Sequence, residues 1–339
     1  MDYSGHTAQM SMQDGSSFDV TDLKKIDLVE VPGESGRRVA MAKFPLSGLE
    51  NKSLDGVARL LDPNGRLVKT VYQHVHIRRP DWVDTQEGYS KKVLPPWTPV
   101  EAQTEPDGTV DIGAWGCRHV FGTIPFLQKI ESSGEDLLAA PIALRGRAEG
   151  HAFHWKNGST RLTAHYPDTA SLEQVCESNG VTLHVKASMD YDGYMIFDCT
   201  LQGQRGLTIE ILQLDIPLRT RYATLCFGQG VYPEKPKIPM SISHSGAVPG
   251  DLGFRFSPNI WIGNEQRGLC WQAESDEHWH YADKQKSIEI LPRDKVTHFQ
   301  ANLINLPTHL ATTRSFTTGS HYWPHPLNRC FEIPGISGS

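Results

Sequence analysis

Short segments that alternate apolar and polar residues recur along most of this chain, at intervals of roughly ten to fifteen residues. The segment 208–216, TIEILQLDI, approximates the two-residue period of a strand with one buried face. Turns of the Asp-Gly and Asn-Gly kind separate many of these segments. The spacing predicts an all-β protein built mainly as a large antiparallel β-sandwich, because a parallel sheet would need helices between its strands. Only residues 171–178, SLEQVCES, predict a helical turn or two.

Changes in composition and in the pattern of apolar residues divide the chain of 339 residues into four segments. Residues 1–21 lack the charged and apolar regions of a signal peptide and predict disorder, or a processed or truncated start. Residues 22–93 alternate around the turn DPNGR and predict a small β-rich domain of immunoglobulin type. Residues 94–318 are assigned to the main sandwich, and residues 319–339, which are interrupted by proline and glycine, to an extended tail.

Charge, hydropathy and cysteine spacing exclude several classes of protein. The formal net charge of −6 lacks the basic excess that nucleic-acid binding requires. No apolar run approaches the roughly 20 residues of a membrane span. None of the six cysteines form a CxxC pair, so no zinc ribbon or redox pair is predicted, and both disulfides and free thiols stay open. The chain is cytoplasmic if its start is complete, and secreted or periplasmic if its start is truncated.

Aromatic, acidic and histidine residues concentrate between residues 254 and 281. The sequence predicts a β-hairpin there, with strands at 260–262 and 268–273 joined by the polar loop GNEQR. Burial in the core is the favoured interpretation of Trp261 and Trp271, since large aromatic side chains anchor sandwich interiors. The alternative is a sugar-facing surface, with indole faces for pyranose rings and carboxylates for hydroxyl groups. On that hypothesis the substrate-binding candidates are Trp271, Glu274, Asp276, Trp279 and Tyr281.

Glycosidases generally use two carboxyl groups held roughly 5–10 Å apart. The candidates for catalysis are Asp276, Glu277 and His280, close to the aromatic residues of the same segment. Adjacent residues on a strand point to opposite faces, so Asp276 and Glu277 could cooperate only within a loop. Solvated turn residues are therefore the favoured interpretation. Motifs for nucleotide binding and acyl transfer are missing, and no cofactor is predicted.

The 15 histidines include pairs with metal-ligand spacing. His74 and His76 form an HxH pair, as do His278 and His280, and two such residues share one face of a strand. A metal centre also needs a third ligand and supporting hydrogen bonds, which no spacing identifies. Exposed pairs are the favoured interpretation, and no metal site is predicted.

Seven stretches occur in order between residues 94 and 280. They are LPPWTPV (94–100), IGAWGCRHVFG (112–122), IPFLQKI (124–130), LLAAPI (137–142), DGYM (192–195), LDIPL (214–218) and WIGNE with GLCW and ES (261–275). Together they resemble the N-terminal β-sandwich domain of proteins related to glycoside hydrolase family 123. The resemblance implies a carbohydrate-associated sandwich, for which a galactose-mutarotase-like super-sandwich is one form.

Family 123 enzymes are similar to β-N-acetylgalactosaminidases in which the acetamido oxygen of the substrate attacks the anomeric carbon. Their catalytic Asp-Glu pair belongs to a β/α barrel that follows the sandwich, and this chain stops near where that barrel would begin. The dipeptide Asp276-Glu277 lies inside the sandwich match, so the family's catalytic roles are not assigned to it.

The main hypothesis is therefore a carbohydrate-associated sandwich that is non-catalytic alone and binds or orients a glycan for a hydrolase. One alternative is a glycosidase or polysaccharide lyase with its site at residues 271–281, and another is a structural adaptor domain. The expected partners are a glycan or oligosaccharide and a catalytic domain or partner chain, without nucleic acid and without a membrane span.

Overall fold

The computed structural model describes residues 5–14, 24–30, 38–40, 42, 50–86, 88, 90–230, 241–276, 278–310 and 313–323. The chain forms two compact units, unit 1 at residues 1–90 and unit 2 at residues 91–339. The described residues contain strands and two 3-10 turns, Thr220–Tyr222 and Lys284–Lys286, and no α-helix. Accordingly, none of the described segments is a helix that could cross a membrane. The prediction of an all-β, antiparallel protein is confirmed.

The described residues of unit 1 form six strands. They are β1 (Thr7–Asp14), β2 (Lys24–Asp27), β3 (Val29–Glu30), β4 (Arg38–Val39), β5 (Ser53–Leu61) and β6 (Leu67–His76). Four of them form an antiparallel sheet in the order β2-β1-β5-β6, and β3 pairs with β4. The β5–β6 hairpin closes at the predicted turn, where the Asp62 carboxylate accepts hydrogen bonds from the backbone N–H groups of Asn64 (2.9 Å) and Arg66 (2.8 Å).

The prediction of disorder for residues 1–21 is wrong for Thr7–Asp14, which pairs with β2 on one side and β5 on the other. The strand is polar and short of large apolar side chains, so its sequence resembles a disordered segment. Backbone pairing on both sides and the buried Ala8 hold it in the sheet instead. The immunoglobulin type of this unit stays a prediction.

Unit 2 contains the other strands of the described chain. They are β7 (Glu101–Thr104), β8 (Val110–Ala114), β9 (Cys117–Phe121), β10 (Leu127–Ser132), β11 (Glu135–Asp136), β12 (Ala143–Ala148), β13 (His151–Ala152), β14 (Lys156–His165), β15 (Thr169–Ser178), β16 (Val181–Asp190), β17 (Met195–Gln202), β18 (Thr208–Arg219), β19 (Leu225–Gly230), β20 (Ser241–Ala247), β21 (Leu252–Phe254), β22 (Asn259–Gly263), β23 (Gly268–Gln272), β24 (Ile288–Arg293), β25 (Val296–Ile304), β26 (Thr308–His309) and β27 (Thr313–Trp323).

Three antiparallel sheets organise this unit. A five-stranded sheet has the order β11-β10-β9-β8-β7, and a seven-stranded sheet has the order β13-β12-β18-β25-β24-β21 with β26 paired to β18. The nine-stranded sheet has the order β14-β15-β16-β17-β27-β23-β22-β19-β20. In the five-stranded sheet, strands that are consecutive in the chain pair with each other. In the nine-stranded sheet, by contrast, β27 from the C-terminal region pairs with β17 on one side and β23 on the other.

The core of unit 2 lies between these sheets. Phe299 of the seven-stranded sheet contacts Trp271 of the nine-stranded sheet, with ring centroids 5.3 Å apart. Phe121 of the five-stranded sheet lies 6.2 Å from Phe197 of the nine-stranded sheet. Strands β16 and β17 alternate buried apolar residues with more exposed polar ones, as strands with one buried face should. The sheets therefore pack face to face around one apolar interior.

Two further sequence predictions meet different outcomes. The predicted hairpin of residues 260–273 is confirmed, with β22 and β23 paired antiparallel. The predicted helical turn at 171–178 is wrong, because these residues belong to β15. Leu, Glu and Gln favour helices, but Leu172, Gln174 and Cys176 alternate toward the interior, and burial of that face decides the conformation. The predicted tail at 319–339 begins inside β27, and residues 324–339 lie outside the described residues.

Candidate functional site

The aromatic residues predicted to face a sugar lie in the core. Trp271, Trp279 and Tyr281 are 2%, 8% and 7% exposed. Trp271 packs against Trp279 with ring centroids 6.3 Å apart, and Phe256 meets Trp279 edge to face at 5.4 Å. An indole packed in this way offers no open face to a pyranose ring. The structure therefore favours the core interpretation of Trp271 and does not favour sugar stacking on Trp279.

The polar residues of the same segment lie nearer the surface. Glu274 is exposed, and the half-buried Asp276 accepts a hydrogen bond of 2.5 Å from the Tyr281 hydroxyl. The backbone N–H of His280 donates to the Leu303 carbonyl at 2.7 Å, which ties this loop to β25. Glu277 lies outside the described residues. Sugar contacts by Glu274 and Asp276 stay a prediction, as does catalysis by Asp276, Glu277 and His280.

A different place in unit 2 combines a cavity with aromatic and charged side chains. A cleft of about 670 Å³ opens beside β7, β8 and β9. We call it the Trp115 cleft, and the lining residues that matter below are Glu101, Gln103, Asp111, Trp115, Arg118 and His165.

Strand alternation explains the polar floor of the Trp115 cleft. On one face of the five-stranded sheet, the side chains of Val110, Ile112 and Phe121 are buried in the core. The opposite face carries Glu101 and Arg118, which flank Gly113 in one row of cross-strand neighbours. A Cβ atom at Gly113 would have one neighbour within 4 Å, the Cys117 carbonyl oxygen at 3.7 Å, so this position leaves the floor open.

One aromatic ring, that of Trp115, lines the cleft and contacts a second tryptophan, Trp97. Trp115 follows β8 in the tight turn to β9, where Gly116 has a positive φ of 77°. Trp97, which is 36% exposed, meets Trp115 edge to face at 6.2 Å and meets Tyr191 at 5.9 Å. Edge-to-face contacts hold the rings at steep angles to each other, so the cluster presents both ring edges and ring faces.

Charged and polar groups of the cleft are held by hydrogen bonds. The Arg118 guanidinium donates to the nearly buried Asp111 carboxylate through Nε (2.6 Å) and through a terminal nitrogen. These contacts with Asp111 raise the pKa of Arg118, which stays charged. His165 Nε2–H donates to the Val100 carbonyl at 2.9 Å, which leaves Nδ1 as an acceptor in the neutral imidazole. The cleft therefore offers both donors and acceptors in defined positions.

Burial affects the ionisable groups behind the cleft. It raises the pKa of the Cys117 thiol to about 11 and lowers the pKa of the fully buried His119 to about 3. Both groups are consequently neutral at pH 7, and the Cys117 thiol is not a nucleophile at that pH. The five cysteines of the described residues are buried and free, and Cys330 lies outside those residues.

A second polar cluster occupies the outward face of the seven-stranded sheet. The carboxylate of Asp215 is fully buried and accepts hydrogen bonds from His298 Nδ1 (2.9 Å) and Gln300 Nε2 (3.2 Å), and Arg145 forms an ion pair with it at 2.6 Å. These partners come from β12 and β25, on either side of β18. The three donors compensate the buried charge and tie the central strands together.

No group of three or more His, Cys, Asp or Glu side chains in the described part of the chain is arranged to hold a metal ion. The sequence did not identify the Trp115 cleft as a site. Trp97, Trp115 and Arg118 occur in stretches that suggested the family resemblance. The signal that could have revealed them is a pair of tryptophans flanking a short strand, one after two prolines and one before a glycine turn.

The fold is that of an antiparallel all-β protein with several packed sheets and a polar, aromatic cleft at the edge of the main sandwich. Residues 120–283 match the family described as glycoside hydrolase 123, third domain, which is just under half of the chain. The resemblance to family 123 is confirmed, since residues 120–283 are similar to a glycoside hydrolase 123 domain. The family description numbers the domain as the third, where the sequence resemblance placed it at the N-terminus.

Several solved structures are similar at low identity. Galactose 1-epimerase from Lactobacillus acidophilus NCFM is 9% identical, with 67% of this chain and 98% of that chain covered and a TM-score of 0.38. A beta-arabinopyranosidase is 12% identical, with 68% and 40% covered and a TM-score of 0.39. Heparan sulfate lyase HepC from Pedobacter heparinus is 10% identical, with 67% and 37% covered and a TM-score of 0.39. The comparison with curated proteins finds no match.

Proposed function

We propose that unit 2 is a carbohydrate-binding sandwich that holds a glycan in the Trp115 cleft and is not a glycosidase on its own. The observation that supports the site is the combination of an open cavity, two exposed or half-buried tryptophans and an ordered set of charged groups. The glycoside hydrolase 123-like domain at residues 120–283 supports carbohydrate as the ligand class. Of the six lining residues named above, only His165 lies inside that range. The other five lie outside the family match, so the cleft is an argument independent of it.

The chemistry of the cleft suits a neutral or amino sugar. A pyranose ring has an apolar face of C–H groups, which packs on an indole, and a rim of hydroxyl groups, which need hydrogen-bond partners. Glu101 accepts hydrogen bonds, the exposed side of Arg118 donates them, and Gln103 does both. Since the Asp111 carboxylate neutralises Arg118, the pair does not require an anionic ligand.

The proposal of binding without hydrolysis is supported by the shortage of available carboxyl groups, since the ion pair of Asp111 leaves Glu101 as the one available carboxyl group among the named residues of the cleft. Asp111 is paired with Arg118, and Asp276 in the 271–281 loop is bonded to Tyr281. A glycosidase needs one carboxyl group as an acid and a second group aimed at the same glycosidic bond. The proposed role is therefore to bind or orient a glycan for a hydrolase, supplied by a catalytic domain or a partner chain.

The test is isothermal titration calorimetry of the purified chain with oligosaccharides that contain N-acetylgalactosamine, followed by a panel of neutral and acidic oligosaccharides. For whichever oligosaccharide binds, we expect Trp115→Ala and Trp97→Ala to weaken binding at least about 10-fold, since stacking and desolvated contacts carry most of the affinity of such sites. Arg118→Gln should also weaken binding, because the Gln side chain cannot reproduce the guanidinium donors.

Trp82→Ala is the matched control, because Trp82 is 62% exposed and belongs to unit 1. This variant should bind like the wild type. Unchanged affinity in Trp115→Ala would contradict the proposed site. A loss of binding in Glu274→Ala, with Trp115→Ala unaffected, would move the site to the loop at residues 271–281. Absence of binding across the whole panel would contradict the carbohydrate-binding function.

A further inference from the structure

One pair of histidines lies on an exposed strand with both side chains on the same face. His74 and His76 belong to β6, which is the edge strand of the four-stranded sheet in unit 1. Residues at i and i+2 of a strand project from the same face. Both histidines are exposed, and the His74 side chain keeps 66% of its accessible surface.

Each of the two imidazoles is held by its neighbour on β5. Asp55 lies opposite His74 and Ser53 lies opposite His76 in the antiparallel ladder. His74 Nδ1 is 2.9 Å from Asp55 Oδ1, and His76 Nδ1 is 3.0 Å from Ser53 Oγ. Cross-strand pairing thus places two acceptors beside two neighbouring ring nitrogens on one face of the hairpin.

The partner of His74 decides its tautomer. An ionised carboxylate only accepts hydrogen bonds, so His74 Nδ1 carries the proton and donates it to Asp55, and the lone pair is left on Nε2. The Ser53 hydroxyl can accept in the same way from His76 Nδ1. A metal-binding histidine uses one nitrogen for the metal and donates its other N–H to a carboxylate or another acceptor, which is the arrangement found at His74.

We propose that His74 and His76 bind one borderline divalent metal ion, with Zn²⁺ as the representative, through both Nε2 atoms. Imidazole nitrogen suits Zn²⁺, Cu²⁺ and Ni²⁺ and does not suit Mg²⁺ or Ca²⁺, which prefer oxygen. Because the described residues provide no third side chain at this position, water completes the coordination. Asp55 and Ser53 are positioning residues that orient the two rings. The proposal concerns unit 1 and does not depend on glycan binding.

Other histidine pairs of the chain lack this arrangement. His151 begins β13 (His151–Ala152), and His154 lies two residues beyond the end of that strand, so the two histidines do not share a strand face. His278 has a positive φ of 71° and lies outside the strands, as does His280. Neither pair has the strand geometry that gives His74 and His76 a common face.

The test is a calorimetric titration of the full chain, produced without a histidine tag, with ZnCl₂ and separately with MgCl₂. We expect one Zn²⁺ per chain and no Mg²⁺ binding. His74→Ala and His76→Ala should each reduce the Zn²⁺ affinity at least about 10-fold, because each removes one of two protein ligands. Asp55→Ala should reduce the Zn²⁺ affinity roughly 10-fold or more, as is typical when a metal-binding histidine loses the hydrogen-bond partner of its other ring nitrogen. His151→Ala, which removes another exposed histidine, should leave the affinity unchanged.

Nitrogen-15 NMR of labelled histidines distinguishes the proposed geometry from nonspecific binding. Zn²⁺ should shift the Nε2 resonances of His74 and His76 and leave their Nδ1 resonances protonated. Circular dichroism of each variant without metal should match the wild type, since these side chains are exposed. Wild-type Zn²⁺ affinity in His74→Ala or His76→Ala, or ligation through Nδ1, would overturn the proposal.

Discussion

Burial of a titratable ring sets the behaviour of His119. The side chain is fully buried on β9, and its neighbours in the ladder are Ile112 on β8 and Ile130 on β10. Removal from water disfavours the charged form, which lowers the pKa of His119 to about 3. The folded protein therefore keeps this imidazole neutral over a pH range in which an ordinary histidine is protonated.

This pKa predicts a loss of stability in acid. In the unfolded chain the histidine has an ordinary pKa of about 6.5, so between pH 6.5 and about 3 the unfolded state binds more protons. The free energy of unfolding should fall as the pH is lowered through that window. Above pH 6.5 the titration of His119 should not change it. From pH 7 to pH 4.5 we expect the wild type to lose about 2–3 kcal/mol more than His119→Met, as measured by urea unfolding.

The exposed His151→Met is the control for His119, and it should keep the wild-type loss in acid. Equal losses for the wild type and His119→Met would show that the acid sensitivity arises from other groups.

Trp271 is the second residue whose burial gives a quantitative prediction. It is 2% exposed and contacts Phe299 across the two large sheets. Trp271→Ala should lower the free energy of unfolding by about 3–5 kcal/mol, because it removes a large aromatic group and leaves a cavity. Trp97→Ala, at a site that is 36% exposed, should lose less than half as much in the same chemical denaturation series. An unchanged midpoint for Trp271→Ala would contradict its role in the core.

Among the elements, the β22–β23 hairpin depends on two opposed glycines. Gly263 pairs with Gly268, and the Trp261 indole lies across both. A Cβ atom on Gly268 would lie 2.7 Å from Trp261 Nε1 and 2.8 Å from the Ile262 carbonyl oxygen, which is closer than such atoms approach in proteins. The glycines therefore allow the indole to cover the hairpin at its turn.

Gly268→Ala should lower the free energy of unfolding by about 1–3 kcal/mol, as overpacked positions do. Gly113→Ala is the matched control, since a Cβ atom there would meet only the Cys117 carbonyl oxygen, at an ordinary 3.7 Å. Thermal unfolding followed by circular dichroism compares the two variants. Wild-type stability in Gly268→Ala would mean that the indole moves aside without loss.

Elements with a clear period could be predicted from the sequence, and elements held by their neighbours could not. The hairpin at 260–273 combines apolar strands with a polar, glycine-bearing loop, and its local pattern predicts it. In β15 the helix-favouring residues of SLEQVCES misled the prediction, because pairing with β14 and β16 decides the conformation. The strand Thr7–Asp14 was not predicted because its conformation also depends on pairing, in this case with β2 and β5.

The candidate site shows the same limit. Trp115 and His165 are far apart in the sequence and line the same cleft only through sheet packing. Conversely, the dense cluster at residues 271–281 attracted a functional interpretation, although its large rings mainly fill the core. Sequence density of aromatic residues indicates burial at least as strongly as it indicates a ligand.

At the scale of the whole molecule, the apolar core of unit 2 and its ordered polar groups lie on different faces of the sheets. The five-, seven- and nine-stranded sheets enclose the apolar core, while the outward faces of the five- and seven-stranded sheets carry ordered polar groups. Rigid sheets under a cleft favour binding, since side chains on strands are held in place by their neighbours. Such a scaffold can orient a glycan without supplying the chemistry of its cleavage.

The whole chain should accordingly show no glycosidase turnover. Acid–base hydrolysis needs an aimed pair of carboxyl groups, whereas Asp111 is occupied by Arg118 and Asp276 accepts the Tyr281 hydroxyl at 2.5 Å. We expect no release of aryl alcohol from an aryl β-N-acetylgalactosaminide and no cleavage of acidic or neutral polysaccharides by the purified chain. Activity that disappears in Asp276→Asn, Glu277→Gln or His280→Ala would contradict this and establish an active site in the 271–281 loop. Activity that survives these three substitutions and disappears in Glu101→Gln would contradict the prediction as well and would place the active site in the Trp115 cleft, whereas a contaminating hydrolase would be unaffected by all four substitutions.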